Sequence, residues 1–210
     1  MTEAAVHRRA DVRERIEDAA LRVFSETEFH RVALADIARE AGASLQTLYR
    51  YYGGKEALLN ACLHRWLGEL AERMLDHLAG IETYKDRLRK VFWVVLDFFD
   101  RNPRVGWMMI HSVYPDRWGD DMTPAQHRLT GLFLAVLEEG QESGVLTNRV
   151  DSMVLLDIFY GLLLRVNQMH LLRHETRPLA EQAPVLFDML WAAISAGAGA
   201  EQGDQAVQVT

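Results

Sequence analysis

The chain has 210 residues, of which 49% are hydrophobic, so it can bury a core, and an intrinsically disordered protein is excluded. A formal net charge of -7 argues against a general nucleic-acid coat protein, and a single cysteine excludes an internal disulfide framework. The first residues, MTEAAVHRR, lack the apolar run of a secretion signal, and no apolar run is long enough to cross a membrane, so we expect a cytoplasmic protein.

Apolar residues recur at spacings of three and four along most of the chain, and no alternating stretch bounded by hairpin turns occurs. This pattern predicts an all-α fold of about nine helices. The first is predicted over 8–26, and its apolar face consists of Ile16, Ala19, Ala20, Val23 and Phe24. Two short helices at 34–41 and 45–51 follow, and Gly53-Gly54 precedes a long helix at 55–78.

Turn and capping residues mark the remaining boundaries. Gly42 suits a helix end, Ser44 suits an N-cap, and Thr123-Pro124 suits a helix start. Further helices are predicted at 85–101, 104–113, 124–143, 152–173 and 179–196. The small and polar residues of 199–210 predict a disordered tail.

The two short helices, joined by EAGAS, fit a helix-turn-helix, in which the second helix reads DNA. If Leu48 and Tyr52 face the core, the intervening side chains of that helix reach the DNA. A tyrosine hydroxyl suits phosphate, Arg50 suits phosphate or guanine, and Gln46 suits an adenine edge. We therefore expect a three-helix DNA-binding domain over 8–58 and a helical effector-binding and dimerisation domain over 59–198.

Lys55 is an unusual first residue for a helix, because a cation there opposes the positive end of the helix dipole. A phosphate held by the free amides of the first turn would make the positive charge of Lys55 favourable at this position. A solvated lysine is the alternative interpretation.

Residues 13–59, RERIEDAALRVFSETEFHRVALADIAREAGASLQTLYRYYGGKEALL, resemble the DNA-binding domain of the TetR family of transcriptional regulators. The segments DIAREAGAS, TLYRYY and KEALL carry the resemblance. It implies a homodimeric repressor that binds double-stranded operator DNA and a small-molecule effector. By this similarity, the residues that contact DNA are Ser44, Leu45, Gln46, Thr47, Tyr49, Arg50, Tyr51 and Lys55. Leu45, Gln46 and Thr47 favour A·T pairs in each operator half-site.

Two residues depart from the family pattern. Glu28 stands where the family usually has glycine, and a left-handed backbone there would cost about 1 kcal/mol. Ala33 often is threonine or serine in the family, and it cannot cap the second helix, which costs about 1 kcal/mol unless Asp36 or a neighbour compensates. These departures keep open an alternative function, a helical small-molecule-binding or scaffolding protein that no longer binds DNA.

Aromatic residues and methionines concentrate in three downstream segments, KVFWVVLDFF, VGWMMIHSVYPDRW and MVLLDIFYGLLLRVNQMHLL. Such side chains suit an adaptable apolar pocket, although plain core is the alternative interpretation. We expect a largely apolar or aromatic effector. The candidate ligand-binding residues are Trp93, Trp107, Met108, His111, Phe159, Leu163 and Asn167.

Polar side chains inside these apolar runs must be paired or hydrogen-bonded if they are buried. The candidates are Asp97, His111, Asp157, Arg165 and Asn167. Contact with the effector is one explanation, and structural ion pairing of Asp97 or Asp157 with Arg165 is the other.

The last two predicted helices each carry a continuous apolar stripe, which is typical of a four-helix dimer interface. The predicted interface residues are Gly161, Leu164, Gln168, Leu172, Phe187, Leu190, Trp191 and Ile194.

The chain lacks the patterns of an enzyme, a cofactor site or a metal site. No histidine follows a glutamate at the spacing of a di-metal bundle, HExxH is absent, and no glycine-rich phosphate loop occurs. His170 and His174 lie four apart without placed carboxylates, and Cys62 lies on an apolar turn that indicates core. We therefore expect no catalytic activity, no cofactor and no metal.

Overall fold

A computed structural model describes residues 3–78, 83–112 and 124–197. Within these ranges the chain forms nine α-helices, which confirms the predicted all-α fold. Their bounds are α1 Glu3–Glu26, α2 Leu34–Glu40, α3 Leu45–Tyr52, α4 Lys55–Leu78, α5 Tyr84–Arg101, α6 Pro103–Ser112, α7 Pro124–Glu142, α8 Ser152–Leu172 and α9 Ala183–Ile194. The predicted tail at 199–210 lies outside the described residues.

The helices form two compact units. Of the described residues, the amino-terminal unit contains 3–69 and 102–112, and the carboxy-terminal unit contains 70–78, 83–101 and 124–197. The helix α4 therefore contributes to both units, and α6 belongs to the amino-terminal unit. The predicted domains, 8–58 and 59–198, are continuous segments of sequence with other bounds than these units. Their limits stay a prediction.

The core of the amino-terminal unit lies on one face of α1. Ile16, Ala19, Ala20 and Phe24 are fully buried there, at the helical spacing that the sequence predicts. The helices α2 and α6 both pack against α1.

The core of the carboxy-terminal unit is aromatic. Its central helix, α5, packs against α8 and α9 and is buried on most of its sides. The ring of Phe92 contacts the rings of Phe159 and Phe187, each at 5.8 Å between centroids, and Phe133 meets Phe159 at 4.8 Å. The edge-to-face geometry of these pairs adds to the stability gained by burial.

A contact between α5 and α7 depends on a glycine. The Tyr84 hydroxyl donates to the carbonyl oxygen of Val136 at 2.8 Å, and a Cβ atom at Gly140 would lie 2.2 Å from that hydroxyl oxygen. The absence of a side chain at Gly140 therefore lets the Tyr84 ring cross α7.

Contacts distant in sequence fix the two ends of α9. Before the helix, the carboxylate of Asp100 accepts hydrogen bonds from the backbone amides of Leu179 (3.0 Å) and Ala180 (2.8 Å), which begin a 3₁₀ helix at Leu179–Gln182. After the helix, Ser195 forms an isolated antiparallel bridge with Leu146. The predicted single helix over 179–196 is thus a 3₁₀ helix followed by a shorter α-helix.

No helix within the described ranges has both the length and the apolar character that a membrane crossing requires.

Candidate functional site

The helix α3 is oriented by one buried leucine and two caps. Leu48 is buried, and the Ser44 hydroxyl accepts a hydrogen bond from the backbone amide of Thr47 at 3.1 Å, as the sequence predicts for an N-cap. Gly53 ends the helix in a left-handed conformation with φ of 76°, which glycine adopts without steric cost.

The opposite face of α3 carries most of the predicted DNA-contacting side chains. Leu45 is 41% exposed and Tyr49 is 53% exposed, and Gln46 and Arg50 are also exposed. Thr47 is half-buried and its hydroxyl pairs with that of Ser44 at 2.8 Å. Tyr51 is half-buried, and its ring lies 5.4 Å from the Arg50 guanidinium. The helix thus exposes hydrogen-bonding groups on the side away from the core.

Tyr52 anchors α3 to α1, as its predicted inward position requires. Its hydroxyl donates to the carboxylate of Glu17 at 3.0 Å. Burial, with the Glu17 charge as a smaller cause, raises the pKa of Tyr52 well above its ordinary value. The hydroxyl therefore remains a donor at neutral pH.

Ion pairs join α1 to its other neighbours. The Arg22 guanidinium lies 2.9 Å from the Glu40 carboxylate of α2. On α4, Arg65 lies 3.0 Å from Asp18, 3.4 Å from Glu17 and 3.5 Å from Glu14. The Arg65 pairs form a network in which the Glu17 carboxylate is largely buried, so they support the packing of α4 on α1 better than an isolated exposed pair such as Arg22–Glu40 would.

Lys55 occupies the first position of α4, and its ammonium group contacts the protein itself. Nζ donates to the backbone oxygens of Phe29 (2.7 Å) and Val32 (3.0 Å). Sequence reasoning missed these acceptors, since nothing in the local sequence indicates carbonyl groups more than twenty residues away.

The backbone at Glu28 differs from the expectation of strain. Its φ of -55° and ψ of 136° are ordinary for any residue, so the predicted cost of a left-handed conformation is wrong. A 3₁₀ helix at Phe29–Arg31 makes the turn instead. One reason for the alternative function without DNA binding is therefore removed. Ala33 does stand at the N-cap of α2 without a side-chain cap bond, as expected.

The candidate ligand-binding residues lie in both units. In the amino-terminal unit, Met108 is fully buried, whereas Trp107 and His111 are half-buried with ring centroids 5.4 Å apart. The Nδ1 atom of His111 and the Oγ atom of the adjacent Ser112 are buried, and neither has a hydrogen-bond partner among the residues that the structure describes. Buried polar atoms normally have partners, so these two atoms mark a place where a ligand could bond.

In the carboxy-terminal unit, Phe159, Leu163 and Asn167 are buried, and Trp93 is 41% exposed. The Phe159 ring is enclosed by the aromatic core described above, which favours the structural interpretation for this residue. Tyr114 and Trp118, which belong to the same aromatic segments, lie outside the described residues.

Structural ion pairing, one of the two explanations for the polar residues, holds for Asp97, but its partner is not Arg165. Asp97 is buried and accepts from Nε of Arg101 at 2.9 Å, and one of its oxygens lies 3.6 Å from Arg73. Asp157 is exposed, and Arg165 donates to the Gln168 side chain at 2.8 Å. The pairing of Asp97 within its own unit accounts for its buried charge without an effector.

Three predicted dimer-interface residues require correction. Phe187, Leu190 and Ile194 are buried inside the protomer, so their side chains are not available to a partner. Of the remaining predicted residues, Gly161 and Leu172 are exposed, and Leu164, Gln168 and Trp191 are half-buried. The exposed apolar side chains of the two helices are instead Met153, Val154, Ile158 and Leu172 of α8, and Val185 and Met189 of α9.

The remaining reactive groups are accounted for structurally. Cys62 is buried, and burial raises the pKa of its thiol well above the ordinary value, which disfavours the nucleophilic thiolate. Across the described part of the chain, no group of three or more histidine, cysteine, aspartate or glutamate side chains is arranged to hold a metal ion.

Comparison with known proteins identifies the amino-terminal segment. Residues 16–62 match the family described as bacterial regulatory proteins, tetR family. An uncharacterized HTH-type transcriptional regulator of Mycobacterium tuberculosis is 33% identical over 90 residues, which cover 43% of this chain and 45% of that protein. The Bacillus subtilis fatty acid metabolism regulator protein is 32% identical over 74 residues, covering 35% of this chain and 38% of that protein. The chain thus matches less than half of the length of these curated relatives.

Solved structures share the fold over most of the chain. A TetR-family transcription regulator from Shewanella sp. PV-4 aligns with a TM-score of 0.74 and 23% identity, covering 88% of this chain and 98% of its own. The regulator FadR of Bacillus subtilis, solved in complex with stearoyl-CoA, aligns with a TM-score of 0.68 and 18% identity, covering 85% of this chain and 97% of its own. Residues 16–62, which span α1 to the start of α4, thus match the tetR family of bacterial regulatory proteins, and the solved structures show that the chain shares their fold.

Proposed function

We propose that this protein is a homodimeric, ligand-responsive transcriptional repressor that binds a palindromic operator and is released by a hydrophobic or aromatic small molecule. The observation that carries the proposal is the exposed face of α3. That face presents Gln46, Tyr49 and Arg50 outward, while Leu48 and Tyr52 hold the helix to the core. Such a helix fits the major groove, where side chains distinguish base pairs by their donors and acceptors.

Each exposed side chain of α3 has a proposed role. Arg50 binds phosphate or guanine, Tyr49 donates its hydroxyl to phosphate, and Gln46 pairs with adenine. Leu45 and the methyl group of Thr47 contact thymine methyl groups, so each operator half-site contains A·T pairs at these positions. Ser44 and Tyr51 lie at the edges of the same surface and complete it.

The experiment for DNA binding is selection of bound duplexes from a random pool, followed by affinity measurements at several salt concentrations. Wild-type protein should select an inverted repeat and lose affinity steeply as salt rises, because bound phosphates release counterions. Arg50→Ala should reduce affinity, whereas Arg177→Ala, which alters an exposed arginine of the carboxy-terminal unit paired with Glu181, should not. Selection of no sequence at all would refute the proposal and favour a binding or scaffolding protein.

The proposed dimer interface is the exposed apolar face of α8 and α9, which we call the apolar face. Val185 and Met189 are each 66% exposed and Ile158 is 40% exposed, and large apolar side chains exposed to this degree on neighbouring helices favour a surface that a partner covers. Gly161 lies among them on α8, with open space beside its Cα, so a partner helix can approach closely. Dimerisation would hold two copies of α3 about 34 to 36 Å apart, the spacing of successive major grooves.

The proposed effector site includes Trp107, His111 and Ser112 on α6. The unpaired Nδ1 and Oγ atoms support a ligand with at least one polar group, and the half-buried Trp107 supports a ligand with a large apolar part. A fatty acid metabolism regulator among the relatives, and stearoyl-CoA in a structural neighbour, suggest acyl compounds as one class to test. A ligand that prefers the DNA-incompetent state by about 1 to 3 kcal/mol would release the operator.

Thermal-shift screening tests the effector site. Acyl-CoA thioesters and aromatic compounds should raise the melting temperature of the wild-type protein. His111→Ala should reduce that increase, and Asn167→Ala tests the candidate residue of the carboxy-terminal unit by itself. An unchanged ligand response in either variant would remove that residue from the candidates.

A further inference from the structure

The ammonium group of Lys55 lies in a small acceptor site formed by the turn after α1. Nζ lies 2.7 Å from the carbonyl oxygen of Phe29, 3.0 Å from that of Val32 and 4.5 Å from the centroid of the Phe29 ring. Two of the three N–H groups of the ammonium are thereby used, and the ring face attracts the cation. The Phe29 ring is itself held by stacking on the fully buried Phe24 at 5.9 Å.

These contacts explain why a cation is tolerated at the start of a helix. The first turn of α4 disfavours positive charge, but the carbonyl oxygens of Phe29 and Val32 carry partial negative charge and accept hydrogen bonds from Lys55. The Phe29 oxygen also accepts the backbone amide of Val32 at 3.2 Å, so the ammonium reinforces the turn. A DNA phosphate is therefore not required to offset the local cost.

The positions that Lys55 joins are the two ends of the helix-turn-helix. Val32 immediately precedes Ala33, the N-cap of α2, and Lys55 follows Gly53-Gly54, where α3 ends. The hydrogen bond between them connects positions 23 residues apart and closes the segment that contains α2 and α3. Ala33 provides no side-chain cap at the same place, so this bond also holds the start of α2.

We infer that Lys55 is a positioning residue that braces the helix-turn-helix through the carbonyl groups of Phe29 and Val32, and that it acts on operator binding through the position of α3. This inference rests on the proposed reading of DNA by α3. Loss of the brace loosens the turn in the free protein and weakens binding to every operator sequence equally. Loss of a phosphate contact has a different effect, because it removes one released counterion and lowers the salt dependence.

The experiment compares Lys55→Met with Arg50→Met, a matched change on the exposed face of α3. In DNA-free protein, amide hydrogen exchange at Arg31 and Val32 should accelerate about tenfold in Lys55→Met and remain unchanged in Arg50→Met. Operator affinity should fall in both variants. The slope of log affinity against log salt should stay at the wild-type value in Lys55→Met and fall by about one in Arg50→Met.

Unchanged exchange at Arg31 and Val32 in Lys55→Met would overturn the inference, as would a salt slope reduced like that of Arg50→Met. If Lys55→Met does not fold, Lys55→Arg keeps the charge but replaces the compact ammonium by a planar guanidinium, and exchange at the turn should still accelerate. Wild-type exchange in Lys55→Arg would then overturn it. Failure of the wild-type protein to bind any DNA would refute the proposed function. The exchange comparison would still show whether Lys55 stabilises the turn at Arg31 and Val32.

Discussion

Two exposed helical surfaces of this protein have opposite chemistry. The outer face of α3 carries Gln46, Tyr49 and Arg50, side chains with hydrogen-bond donors that water satisfies until a ligand replaces it. The apolar face of α8 and α9 carries Ile158, Val185 and other side chains that offer nothing to water. The first surface is stable while free and gains specificity on binding, whereas the second gains free energy only by being covered.

The difference also lies in how each surface is supported. A serine cap, a tyrosine anchored on Glu17 and the Lys55 brace hold α3. The helix α9 is fixed at its ends by Asp100 and by the bridge at Ser195, and its inner side packs into the aromatic core. Both helices therefore combine burial with polar contacts, but α3 buries a single leucine, whereas α9 buries a longer stripe that includes Phe187, Leu190 and Ile194.

The largest expected effect comes from a charge on the apolar face. Ile158→Asp should weaken the dimer by roughly 3 kcal/mol or more, since an unpaired carboxylate would be buried against the partner. Operator affinity should be lost with the dimer, although α3 is unaltered. Analytical ultracentrifugation and mobility shift measure both quantities. Val145→Asp, at an exposed apolar residue between α7 and α8, is the control, and a dimeric Ile158→Asp protein would exclude this face as the interface.

A smaller loss is expected inside the carboxy-terminal unit at Gly140. Gly140→Ala should destabilise the protein by roughly 2 kcal/mol, because the added Cβ displaces the Tyr84 hydroxyl from the Val136 carbonyl. In a Tyr84→Leu background the same change should cost much less, since the obstructing ring is gone. Urea denaturation of the four proteins measures the coupling, and additive losses would contradict the packing argument.

Most helices and the exposed surface of α3 could be predicted from the sequence. The features that could not be predicted depend on contacts between residues distant in sequence. Apolar spacing and caps predict the helices to within one or two residues at most ends, and the α3 surface follows from Leu48 and Tyr52 as the inward pair. The start of α9 is different. Its first predicted turn is a 3₁₀ helix, because the carboxylate of Asp100, which is distant in sequence, accepts hydrogen bonds from the amides of Leu179 and Ala180. Local sequence contains no signal for such a partner.

The apolar face shows a second limit of periodicity. The helix α9 is apolar on both sides, so one stripe with Phe187 and Ile194 and another with Val185 and Met189 both fit the helical period. Spacing alone cannot decide which stripe faces the protomer core. The burial of Phe187 and Ile194 shows that their stripe faces the protomer core. The prediction that these residues lie at the dimer interface is therefore wrong.

The caps of α3 predict a moderate effect confined to the amino-terminal unit. Ser44→Ala should cost about 1 kcal/mol, because the Thr47 amide loses its acceptor, while Ser44→Asn should retain most of the stability. Operator affinity should fall with Ser44→Ala in proportion to the fraying of α3. Denaturation and mobility shift of the two variants provide the measurement. Equal stability of the alanine and asparagine variants would show that the cap does not support the reading helix.

The smallest effect at neutral pH involves tyrosines in both units. Burial is the main cause that raises the pKa of Tyr52, Tyr84 and Tyr160 well above their ordinary value. Because the folded chain holds these protons more tightly than the unfolded chain, their contribution is constant below about pH 10 and stability falls as pH rises above it.

For Tyr160, burial alone causes the shift, so Tyr160→Phe should remove part of this alkaline loss without removing a hydrogen bond to a charged group. Tyr52→Phe should also reduce the loss, but it should lower stability at neutral pH because Glu17 loses its donor. Chemical denaturation across the alkaline range, with tyrosinate absorbance followed in parallel, separates the two. If stability has the same alkaline dependence in wild type and Tyr160→Phe, then burial of the Tyr160 hydroxyl does not control this titration.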